Sequence, residues 1–173
     1  GEWCKKFSRK HIYEKRNHST IKFHWSDRAK LARDHAYLFK LYERVLIELS
    51  NSLNYFHSTN HSIRYWRIVI GPWLINYIPV LFDRYSSLDS LDDGFEELIS
   101  YIPKKEESPR APQDYNMSYE FFRSEDWNYI IFSEILKFKN LDNISLIKKD
   151  HIAEELSSIS KSHKNFKVSA INF

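Results

Sequence analysis

Glycine is nearly missing from this chain: three in 173 residues. Phosphate-cradling loops need several, because glycine alone lets backbone N–H groups crowd closely around an anion, and neither GxGxxG nor GxxxxGKS/T occurs. The same scarcity favours helices over tightly turned sheet. Cysteine is rarer still. Cys4 stands alone, which excludes an internal disulfide framework and a multi-cysteine zinc site and makes a reducing cytoplasm the default compartment. A membrane-spanning run is also wanting. Ile68 to Phe82 is the longest apolar stretch, and at 1.5 Å per residue it covers about 22 Å against a hydrocarbon core of about 30 Å. It reads as a buried helix. The chain opens on Gly1 with GEWC, without a methionine or an apolar leader, so a piece of a longer polypeptide, or a shortened one, is expected.

What is present suffices for a core. Hydrophobic residues make up 42% and aromatics 16%, enough for one domain or part of a larger fold. The net charge of +3 is uneven: residues 1–35 hold ten Lys/Arg against four Asp/Glu, and residues 83–126 hold five against twelve. A basic, aromatic opening can attract phosphate, nucleic acid or an anionic membrane surface. So modest a net charge points instead to a solvated surface facing the acidic segment, and nucleic acid is not the expected partner.

Helical spacing dominates. Ser26-Asp27 reads as an N-cap, followed by a helix to about Phe56 with Leu31, His35, Leu38, Tyr42, Val45, Leu49, Leu53 and Phe56 at three- and four-residue steps. A second long helix, His61 to about Asp83, carries Gly71-Pro72 and Pro79 and is expected to kink there at the centre of the fold. Ser87 to Tyr101 reads as an acidic helix, residues 103–117 as a proline-rich exposed loop, and Ser118 to Lys139 as helix with a break at Ser124. A short helix over 148–160 and a strand-like VSAINF end complete the pattern. The expected fold class is mainly α: residues 1–102 as a basic, aromatic segment plus helical core, then the loop, then C-terminal helices from 118 to 173.

Three constellations can carry chemistry. Arg64 and Arg67 lie one turn apart in an apolar run, where two planar guanidinium forks suit phosphate or carboxylate oxygens; pairing with Asp83, Asp27 or the acidic segment is the plain alternative. His57 and His61 straddle a turn. Without HExxH or a third ligand they do not make a metal site, which leaves a general base or a sugar-hydroxyl contact, or simple capping. His24, Trp25, Asp27 and Arg28 set an imidazole, an indole and an ion pair at a helix start, where exposed N–H groups attract anions and the indole offers a stacking face; a hydrophobic staple with a cap explains them equally.

Several of these segments resemble a known family. GEWC at 1–4, SRKHIYEK at 8–15, FHWSDR at 23–28, LN at 53–54, NHSIRYWRIVIGPWL at 60–74, LFDR at 81–84 and SEDWNYIIFSEIL at 124–136 are similar to the N-terminal part of transferases associated with bacterial O-antigen and other surface-polysaccharide biosynthesis. The resemblance implies a larger, two-domain α/β glycosyltransferase-like fold, of which this chain supplies the acceptor side and part of the cleft. The nucleotide-sugar donor would then bind mainly to the remainder of the polypeptide, leaving this chain inactive alone and without a cofactor of its own. On that implication Arg64 and Arg67 bind a phosphate or acidic sugar, Trp25 or Trp66 stacks on a ring, and His24, His57 or His61 is the candidate base. A sugar nucleotide or phosphorylated glycan acceptor is the expected partner, with peripheral contact at the inner membrane face. A non-catalytic helical interaction module and a nucleic-acid-binding helical protein are the competing classes.

Overall fold

A computed structural model describes residues 7, 10–15, 20–89, 98–104 and 112–149. Cys4, the 150–160 part of the last expected helix and the VSAINF end lie outside the described residues. The elements run α1 (Lys10–Tyr13), a 3-10 turn (His24–Ser26), α2 (Arg28–Phe56), α3 (Ile63–Val69), α4 (Gly71–Asp89), β1 (Leu98–Pro103), α5 (Tyr115–Arg123), α6 (Glu125–Lys139) and β2 (Ile144–Lys149). The architecture is mainly helical, as the periodicity predicts.

Asp27 starts α2: its carboxylate accepts from the backbone N–H groups of Ala29 and Lys30 at 2.8 and 3.2 Å, satisfying donors that no helical carbonyl reaches. The buried stripe of α2 is Leu38, Tyr42, Leu46 and Ser50, a strict four-residue step. Leu31 and Phe56, expected inside, are exposed, because the partner helix covers only the middle of this 29-residue rod. Leu74 and Ile78 of α4 complete that core, with Trp25, Trp73 and Phe82 around it. Each fully buried leucine contributes about 1.5–3 kcal/mol.

The expected single kinked helix is two. α3 ends at Val69, with Ile70 as its C-cap, and α4 begins at Gly71. Pro72 thus falls in the first turn of a helix, where its missing N–H costs nothing. Gly71 is buried, and a Cβ there would lie 2.8 Å from the Tyr42 hydroxyl; the close crossing of α4 over α2 requires its bareness. Pro79 is accommodated inside α4.

The expected acidic helix over 87–101 is corrected at both ends. α4 continues to Asp89, and Leu98–Pro103 is strand, with Leu98, Ser100 and Ile102 buried in alternation. A short apolar run rich in Ile and Tyr suits either period, and pairing decided it. β1 pairs in parallel with β2, from Leu98 opposite Ile144 to Pro103 opposite Lys149. Lys148 and Lys149, expected in a helix, belong to this strand. Asp114, expected in the loop, caps α5 instead through a 2.8 Å bond from the Met117 N–H. The break at Ser124 is real: its hydroxyl accepts from the Trp127 N–H at 3.1 Å and starts α6. Phe138 is 80% exposed, while Leu136 two residues earlier is buried. The second core joins Leu88 of α4, Leu98 of β1 and Leu136 of α6, so α4 bridges a helical half and a β–α–α–β half.

Candidate functional site

Asn54, near the end of α2, organises the turn into α3. Its Oδ1 accepts from the His61 N–H at 3.0 Å, the Trp66 Nε1–H at 3.0 Å and the Thr59 hydroxyl at 3.1 Å, while its Nδ2 donates to the His61 carbonyl at 2.9 Å. Ser58, at φ 51°, takes the left-handed conformation that reverses the chain. Ser62 caps α3, accepting from the Tyr65 N–H at 3.3 Å.

The result is an open cavity of about 440 Å³ lined by His57, Thr59, His61, Tyr65 and Trp66. Trp66 is buried and anchored by its N–H, so it forms a fixed wall; the other four are exposed. The His61 and Tyr65 rings stack with centroids 4.0 Å apart, and Tyr65 meets Trp66 edge-on at 5.1 Å. Two imidazoles, a threonine hydroxyl and aromatic surface therefore converge on one concavity. Apolar ring faces beside a few hydrogen-bonding groups are what a polyhydroxylated ring needs.

The arginines separate. Arg67 is taken by Glu43 in a two-pronged pair, Nη1 to Oε1 at 2.5 Å and Nη2 to Oε2 at 2.7 Å. The Arg67 hydrogen bonds hold the Glu43 carboxyl below its usual range, and the Arg67 guanidinium is pushed up in turn. Arg64 is exposed on α3, three residues beyond His61, and has no ion pair among the described residues. The two forks do not form a joint clamp, and neither lies in a greasy interior: α3 buries Trp66 alone.

His24, Trp25, Asp27 and Arg28 lie elsewhere. Asp27 caps α2 and forms no ion pair with the exposed Arg28. The Trp25 Nε1–H donates to Asp34 Oδ2 at 2.9 Å, and its ring stacks on Phe82 with centroids 6.3 Å apart. His24 Nε2 bonds Asp83 Oδ1 at 2.9 Å, and the imidazole is only 8% exposed. Asp83 also accepts from Arg84, whose Nε donates to Asn128 Oδ1 at 3.0 Å and whose Nη2 donates to the Phe122 carbonyl at 3.3 Å. This network ties the segments FHWSDR, LFDR and SEDWNY into one joint. Asp83-Arg84 is thus both an ion pair and part of a wider polar site.

Spacing missed Thr59 and Tyr65 as cavity walls and Asn54 as their organiser. The available signal was the density of capping residues between Asn54 and Ser62. Among the described residues no three His, Cys, Asp or Glu side chains gather as a metal-ligand set, and no helix is long and apolar enough to cross a membrane.

The family model described as LIC12162 family transferase matches residues 1–173. The chain belongs to that family. No curated protein and no solved structure matches it.

Proposed function

We propose that this LIC12162 family transferase is glycosyltransferase-like, moving a sugar from an activated, phosphate-bearing donor onto a glycan of bacterial surface-polysaccharide (O-antigen) biosynthesis. The observation that carries the reading is the cavity at the α2–α3 turn, which unites two imidazoles, a hydroxyl and aromatic walls. An acceptor sugar seats there. His57 or His61 takes the proton of its attacking hydroxyl, imidazole being the side chain suited to that task near neutral pH. The freed oxygen forms a bond to the donor's anomeric carbon, and the bond from that carbon to the phosphate oxygen breaks with its electron pair going to phosphate. Arg64, exposed on α3 one residue before the cavity wall Tyr65 and without an ion pair among the described residues, meets donor or acceptor phosphate. Arg67 positions α3 through Glu43. His24 and Trp25 hold the other end of α2.

The parallel β1–β2 pair supports a larger enzyme. Among the described residues the sheet has two strands; parallel strands are at home in larger sheets covered on both faces. The remainder of the polypeptide extends this sheet and supplies most of the sugar-nucleotide site, in a cytoplasmic setting at the inner membrane face.

The test is sugar transfer by the full-length enzyme, using a radiolabelled sugar nucleotide and membrane glycan extract. His61→Ala and His57→Ala are expected to show that one of them lowers kcat about 100-fold or more, as loss of a general base does, with KM for donor little changed. Arg64→Ala is expected to raise KM for the phosphate-bearing substrate. Wild-type rates in all three would sink the assignment of this cavity.

A further inference from the structure

A second concavity, of about 530 Å³, opens where α3 passes into α4 and faces the start of α5. Its walls include Val69, Trp73, Asp114 and Tyr115. Trp73 stacks on Tyr77 with centroids 4.5 Å apart, which fixes the indole plane. Asp114 uses Oδ1 to cap α5, and its Oδ2 has no hydrogen bond or ion pair among the described residues. The Tyr115 hydroxyl receives a 3.1 Å bond from Asn76 Nδ2 and lies 3.0 Å from the Tyr119 hydroxyl, so the rim is polar and fixed.

The two cavities share one helix. Tyr65 lines the first and Val69 the second, and a four-residue step sets them on the same side of α3. Between them the surface is apolar and open: Tyr65 is 43% exposed, Ile68 68% and Val69 54%. The seven residues of α3 span about 10 Å, the scale of a short oligosaccharide.

We infer that this second concavity is a distal glycan subsite, and that a hydroxyl-rich oligosaccharide lies along α3 with one sugar in each cavity. A fixed indole beside an unbonded carboxylate oxygen suits a neutral sugar, whose hydroxyl groups donate to Asp114 Oδ2; a phosphate or acidic sugar would be repelled. The inference rests on the reading of the first cavity as the acceptor site and extends it from one sugar to a chain.

The probes are neutral glucose-, galactose-, mannose- and rhamnose-based sugars, each as monosaccharide and as linear tri- or tetrasaccharide. They are titrated into the full chain by calorimetry, with NMR of the Trp73 and Trp66 indole N–H signals. The longer form of at least one sugar should bind about tenfold more tightly than its monosaccharide and shift the Trp73 signal. Trp73→Ala should abolish that gain while leaving monosaccharide affinity unchanged. Asp114→Asn, which keeps the helix cap, should reduce the gain in a protein whose folding is undisturbed. Equal affinities for short and long forms, or a gain that survives both substitutions, would overturn the distal subsite alone. Gain through Trp73 with no response at Trp66, or to His61→Ala, would overturn the first-cavity reading instead. Absence of binding by every sugar would overturn both.

Discussion

His24 Nε2 and Asp83 Oδ1 meet at 2.9 Å across 59 residues of sequence, joining the chain before α2 to the far half of α4. Both groups are largely withdrawn from water, and Arg84 shares the same carboxylate. A charge so placed holds its neighbours only while it remains charged and paired.

Asp83→Ala is therefore expected to destabilise the fold by about 2–4 kcal/mol, because it takes the carboxylate from both the His24 imidazole and the Arg84 guanidinium, leaving Arg84 only its neutral acceptors. His24→Ala should cost less, since Arg84 still satisfies Asp83. The double variant should fall short of the sum by about 1 kcal/mol, the mark of a shared interaction. Urea denaturation of the four proteins measures this; strict additivity would show that the contact carries no coupling.

Gly71 and Tyr42 set the α2–α4 crossing. Gly71→Ala places a methyl group 2.8 Å from the Tyr42 hydroxyl. Tyr42 is buried in the first core and has little room to retreat. A loss of about 1–3 kcal/mol is expected, as for other overpacked cores. Tyr42→Phe in the same chain should recover much of it by removing the offending oxygen. Thermal unfolding of the single and double variants checks the pair.

Asp34 makes stability fall in acid. Burial pushes its carboxyl up, but hydrogen bonds from Lys30 at 2.5 Å and Trp25 at 2.9 Å, with the Lys30 charge, outweigh that and hold it below its ordinary value of 3.8. The folded protein thus binds this proton more weakly than the unfolded chain. The stabilisation is whole above the ordinary aspartate range and is lost as pH falls through the lower folded value. Glu43 acts in the same direction, held down chiefly by its bonds from Arg67. The urea midpoint should decline as pH is lowered below about 4. Asp34→Asn should flatten part of that slope while lowering the plateau near neutrality; an unchanged slope would refute the assignment.

Much of the helical scaffold was legible because its signals are local. Asp27 as a cap, the helical run of α2 to Phe56 and the break at Ser124 are written in adjacent residues, and each appears in the structure; the buried stripe of α2 was legible only at Leu38 and Tyr42. Leu98–Pro103 was misread because LISYIP satisfies helix and strand alike, and its partner Ile144–Lys149 lies over forty residues away. The Arg64–Arg67 spacing suggested a joint clamp that the structure does not form. It could not show that Glu43, 24 residues earlier, already occupies Arg67.

The amino-acid sequence by itself determined where α2 and α6 start and stop, that the apolar run now split into α3 and α4 would be central, and that His57, His61 and Trp66 would fall near one turn. Capping, periodicity and proline placement act within a few residues, so they survive in a one-dimensional reading. Only the tertiary structure decided which charged groups are consumed by partners, which are left facing solvent, and that Tyr65 and Val69 open two cavities along one side of α3. Those outcomes depend on which surfaces meet when α2, α4 and α5 pack, and packing brings together residues that sequence distance keeps apart.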